Sequence, residues 1–142
     1  MKNYNSDFYG WTQEQAAILR SGRFSEVDIV NLIEEVESMG RSERRELVSR
    51  LSVLLSHLLK WRYQAYRRGT SWELSIKNQR LEFSEVLDEN PSLKSQLAEI
   101  LEFAYKKARI TAAKETKITL SVFPEICPWS YEQILDDDFY PA

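Results

Sequence analysis

From Thr12 to about Thr116 the apolar residues recur at helical spacing, and that period admits little besides packed helices. The strongest stretch is Leu47, Leu51, Leu54, Leu58 and Ala65, spaced by 4, 3, 4 and 7 residues. Val48, Leu55, Leu59 and Tyr66 widen this stripe, so the segment needs neighbours on two sides. Local signals divide the period into helices. Thr12 to Gln15 reads as a capping box opening a short helix that buries Ala16, Ile18 and Leu19 and stops at Gly22. A second helix is predicted from about Ser25 to Met39, with Ile29, Leu32, Ile33, Val36 and Met39 as its apolar set and Gly40 as its stop. A third begins near Ser42 and ends near Arg68, ahead of Gly69. Ser71 opens a fourth, carrying Trp72, Ile76, Phe83, Val86 and Leu87. Asn90-Pro91 closes it and opens a fifth, because Asn suits the cap and Pro the first helical position. The low bulk of Ala104, Ala108 and Ala112 there predicts a close helix–helix approach.

The character changes after Lys117. Ile118, Leu120, Val122, Phe123, Ile126, Cys127 and Trp129, interrupted by Pro124 and Pro128, cannot form a long helix. This tail is predicted to drape over the bundle, ordered and largely buried from Leu120 to Trp129. A second capping box, Ser130 to Gln133, predicts a short helix through Leu135. A chain of 142 residues buries about two-thirds of its unfolded surface, enough for one core. The expected fold is a single all-α domain over residues 1–142. It is a bundle of about four long helices with short terminal helices and a packed C-terminal tail.

Composition removes several chemistries. One His and one Cys cannot supply the three or four ligands of a Cys/His zinc site, nor the two His of a paired Glu-x-x-His di-iron site. No internal disulfide can form, and the start has no apolar signal-like stretch, so a cytoplasmic location is expected. No run approaches the ~20 apolar residues of a membrane span. The glycines are isolated, so there is no phosphate-binding glycine loop. No cofactor is expected.

Charge is unevenly spread. Residues 1–40 hold three basic and seven acidic residues, whereas 41–80 hold ten basic and three acidic ones. The basic segment makes Arg41, Arg44, Arg45, Arg67 and Arg68 candidate anion-binding residues. Tyr66 and Trp61, interleaved with basic residues, could stack bases. Acidic segments on both sides and a net charge of −3 favour internal neutralisation instead. On the second helix Asp28, Asn31 and Glu35 share one edge, a set that can bind a hard cation or move protons. A facing third helix would have to close such a site, and His57 is the only imidazole available. Arg62 falls within the apolar stripe of that helix and must find a partner or snorkel outward. On the fourth helix, Gln79 and Arg80 interrupt the stripe. Cys127 reads as a small buried hydrophobe.

These residues also resemble a known family. Asp7-Phe8-Tyr9-Gly10-Trp11-Thr12 with Glu14-Gln15-Ala16 resembles its N-terminal signature. Asn31 to Gly40 with Arg41-Ser42-Glu43 resembles its second and most distinctive one. His57 to Trp61, Ser71-Trp72, Asn90 to Leu93 and Phe123 to Trp129 continue the match in order. The family is domain-of-unknown-function family twenty-nine, bacterial and mainly cyanobacterial. The resemblance implies an all-helical cytoplasmic protein and carries no activity. It directs attention to Asn31, Glu35, His57 and Trp61, which with Asp28 of the same helix edge make one candidate polar site. The favoured reading is a small non-enzymatic interaction or regulatory protein that binds another protein or a second copy of itself. The alternatives are nucleic-acid binding through 41–80 and a metal-dependent enzyme where the second and third helices meet.

Overall fold

The computed structural model describes residues 2–142, 77% of them helical, with no strand among them. The helices are α1 (Phe8–Arg20), α2 (Ile29–Tyr63), α3 (Thr70–Glu89), α4 (Leu97–Thr116) and α5 (Tyr131–Leu135). Short 3-10 turns connect them. The chain divides into two compact units, Met1–Ser42 and Glu43–Ala142, and α2 contributes to both.

The first unit starts earlier than its local signals suggest. Asp7, not Thr12, caps α1: its carboxylate accepts the Gly10 N–H at 3.0 Å. A Cβ on residue 10 would lie 2.4 Å from that carboxylate, so glycine is what lets the cap seat. Thr12 instead turns its hydroxyl to the Tyr9 carbonyl inside the helix. Beginning at Phe8 places Trp11 on the inner face, where it is 2% exposed, and its burial outweighs a second local cap signal. Gln15 and Ile18 are buried with it, Ala16 is half-buried and Leu19 is exposed. Gly22 ends α1 with a φ of +77°, as its position implies.

The two middle helices of the sequence reading are one. α2 runs unbroken for 35 residues through Gly40. A glycine stops a helix when it takes a left-handed φ, and Gly40 does not. Alone it costs about 1 kcal/mol relative to Ala. The Glu37–Arg41 pair spans it, and Glu46–Arg50 follows further along.

In the second unit, Leu47, Leu51, Leu54, Leu55, Leu58 and Leu59 of α2 are fully buried, as their spacing predicts. They meet Ile76, Phe83 and Leu87 of α3 and Ile100, Ala104, Ala108 and Ala112 of α4. The stripe stops at Tyr63. Ala65 and Tyr66 fall in a 3-10 turn and face solvent, and Arg62 snorkels out over the Tyr63 ring. The Asn90-Pro91 start becomes a 3-10 turn, Pro91–Gln96, before α4 begins.

The tail packs by anchors rather than along its length. Phe123, Trp129 and Ile134 are buried, whereas Leu120, Val122 and Ile126 are exposed, so the stretch from Leu120 to Trp129 is not largely buried. Main-chain carbonyls fix it: Tyr105 donates to Pro124 at 2.6 Å, and Arg109 donates to Phe123 and Leu120. Ser130 and Gln133 form the predicted capping box.

Candidate functional site

Asp28 stands one residue before α2 and caps it. Its carboxylate accepts the Asn31 side-chain N–H at 2.9 Å and, more loosely, the Asn31 backbone N–H. The Trp11 indole donates to the same carboxylate at 2.9 Å. The Asp28 backbone N–H in turn donates to Gln15 at 2.8 Å. One turn further along α2, Glu35 accepts the Tyr4 hydroxyl. Tyr4, Phe8 and Trp11 pack as an aromatic triangle, with Tyr4 edge-on to the other two. The polar edge read from the sequence is therefore real, but it faces α1 and the segment before it. Tyr4, Trp11 and Gln15 complete it. None of the three was legible as a partner, because a sequence gives their spacing on α1 but not which edge of α2 they meet.

The hydrogen bonds from Asn31 and then Trp11 hold the Asp28 carboxyl below its ordinary value. The Tyr4 hydroxyl is pushed up to about 12, chiefly by its bond to Glu35. Asp28 thus has both oxygens engaged by protein donors, and Glu35 has one. Among the described residues no group of three or more His, Cys, Asp or Glu is placed to hold a metal ion.

A folded-state pKa below the unfolded one gives stability that is present above the unfolded pKa and lost on acidification. Asp28→Asn is therefore expected to lower stability at pH 7. The gap to the parent should close as pH falls through and below 3.8, where the parent carboxyl also takes up a proton. Urea midpoints of both proteins at pH 7 and pH 3.5 measure this. An equal gap at both pH values would show that the charged carboxylate is not what holds the cluster.

His57 and Trp61 do not join this cluster. They lie about six turns further along the same helix, in the other unit, so no facing third helix exists to bring His57 to Glu35. The arrangement that the metal-enzyme reading needs, His57 on a separate helix facing the second, is not what α2 forms. His57 sits 2.9 Å from the Val53 carbonyl of its own helix, and burial lowers its pKa, keeping it neutral. Trp61 packs against Tyr140 at 4.9 Å with the Arg68 guanidinium over its ring.

The candidate anion-binding arginines are mostly engaged. Arg41 pairs with Glu34 at 2.9 Å, and Arg44 pairs with Glu99 while donating to Gln96. Arg68 donates to the Trp61 and Pro141 carbonyls. Arg45 and Arg67 face solvent. Cys127 lines a cleft of about 660 Å³ beside Tyr105 and Trp129, and burial pushes its thiol up, away from nucleophilic use.

The larger surprise is apolar. Because the polar edge of α2 is the one that packs against α1, its apolar residues are left outside. Ile29, Val30, Ile33, Val36 and Met39 are 51–74% exposed on three turns of helix. The periodicity was legible in the sequence, but it predicts an apolar face without saying what covers it.

No helix is long and apolar enough to cross a membrane among the described residues. Neither a curated protein nor a solved structure matches the chain. A family model does match, over residues 3–140, so nearly the whole sequence is accounted for by one pattern. That match spans both the Trp11–Asp28–Asn31 cluster and the tail anchors, and the chain belongs to the family described as domain of unknown function DUF29.

Proposed function

We propose that the protein is a non-enzymatic interaction module and that the first three turns of α2 are its binding surface. The observation that carries this is the row Ile29, Val30, Ile33, Val36 and Met39, large aliphatic side chains held more than half exposed on a rigid helix. Contiguous exposed apolar surface of this kind marks association sites on soluble proteins. A helix offering anchors at i, i+4 and i+7 is read by another helix or an apolar groove. The basic segment supports the same reading, since Arg41, Arg44 and Arg68 are taken up by carboxylates and carbonyls, which leaves Arg45 and Arg67 of the five candidates facing solvent. A cytoplasmic setting fits the single half-buried cysteine.

The test is capture from the host with the full chain as bait, beside an Ile33→Glu variant. Ile33 is exposed, so the variant should keep its circular dichroism and melting temperature. A partner held by the parent and lost by the variant supports the reading. Captured proteins identical for both baits would remove α2 from the binding surface.

A further inference from the structure

We infer that the partner for this face is a second copy of the chain, docked antiparallel along α2 with Ile29 of one copy against Gly40 of the other. This rests on the reading of the face as a binding surface. At 100° per residue, Ile29, Ile33, Val36 and Gly40 fall within an arc of roughly 60°. Their spacing is 4, 3, 4, which reads the same in either chain direction. An antiparallel pair therefore sets Ile29 on Gly40 and Ile33 on Val36, twice over, about one two-fold axis.

Gly40 is the second observation. It lies inside a helix, takes no left-handed φ, and a Cβ there would meet nothing within 4 Å. Nothing in a single chain explains a residue that weakens the helix at this point. Opposite Ile29 of another copy it has a use, since the missing side chain makes room for the larger one and lets the helix axes approach. Gly40 also selects the direction: a parallel, in-register pair would set Gly40 on Gly40 and Ile29 on Ile29, leaving the space at the glycine unfilled and crowding the two isoleucines. Three turns of helix make a small interface, so the dimer belongs to the weak, reversible class.

The experiment is sedimentation equilibrium on the full chain across the micromolar range, with three sets of variants. The parent is expected to dimerise and Ile33→Glu to remain monomeric with unchanged helix content. Gly40→Leu is the decisive variant. It favours the helix and adds apolar surface, so it strengthens indiscriminate association. It blocks the proposed register, where it should weaken dimerisation by at least about tenfold. In a Cys127→Ser background, Ile29→Cys mixed with Gly40→Cys should form a disulfide between copies, and Ile29→Cys alone should not. A parent that stays monomeric, a dimer indifferent to Ile33→Glu, tighter association from Gly40→Leu, or Ile29→Cys linking to itself each overturns the inference. A monomer that still captures a host protein through Ile33 ends the self-pairing and leaves the interaction reading standing. A monomer with no Ile33-dependent capture ends both.

Discussion

Truncation after Lys117 is expected to abolish cooperative folding of the unit formed by residues 43–142. The deleted segment supplies Phe123, Trp129 and Ile134, which are 1%, 8% and 0% exposed in the core. Removing buried side chains of these sizes costs about 3–5 kcal/mol each for Phe and Trp and about 2–5 for Ile. The sum, roughly 8–15 kcal/mol, is comparable to the whole stability of an ordinary domain, about 5–15 kcal/mol. The loss also uncovers Tyr63, whose ring stands edge-on to Phe123 at 5.0 Å. Far-UV circular dichroism with urea titration measures it. The truncated chain should show reduced helix and no sigmoidal transition, and Phe123→Ala alone should lower stability by about 3–5 kcal/mol. A truncated protein that melts like the intact one would show that the tail is an ornament on a core complete at Thr116.

How much of this was legible depends on whether a feature is set by neighbours in sequence or in space. The leucine stripe of α2 was readable from Leu47 to Leu59, because burial there follows the helical period alone. So were Gly22 as a stop and Ser130 as a cap, since both act through bonds to residues within one turn. Gly40 misled because a glycine stops a helix only when something else takes up the following chain. Thr12 misled because Asp7 offered a cap one turn earlier and the burial of Trp11 decided between them. At the candidate site the edge Asp28, Asn31 and Glu35 was readable, since three positions on one helix share a face by arithmetic. Their partners Tyr4, Trp11 and Gln15 were not, because that pairing is tertiary. His57 was linked to Glu35 only through the assumption of a break at Gly40, and it left the site when the helix proved continuous.

Arg80 makes the second large prediction. The sequence marks it only as a polar step in the stripe of α3, between Ile76 and Phe83. In the structure it is 2% exposed and has no carboxylate partner. It donates instead to three main-chain carbonyls of the C-terminal segment: Ile134 at 2.8 Å, Phe139 at 2.6 Å and Asp137 at 3.3 Å. The Tyr140 ring lies 5.4 Å from its central carbon. Burial pulls its pKa down, and the negative charges of Asp137, Asp136 and Asp138 act the other way, helping to keep the guanidinium charged. A planar group with five N–H donors is what binds three carbonyls arriving from different directions. Arg80→Met keeps much of the volume and strands those acceptors. The bond to Ile134 is the buried one, while the Asp137 and Phe139 carbonyls lie nearer solvent and can recover part of their loss from water. The expected cost is about 1.5–3 kcal/mol, the range for a buried acceptor that loses its hydrogen bond to a charged donor. Arg80→Lys should cost about half as much, because a single ammonium reaches one or two of the carbonyls but not all three. Opening should begin at the C-terminus. In limited proteolysis, cleavage between Leu135 and Tyr140 should precede cleavage in α2, α3 or α4 in both variants. An Arg80→Met protein within about 0.5 kcal/mol of the parent, with the same cleavage order, would mean that Phe123, Trp129 and Ile134 hold the tail without the arginine.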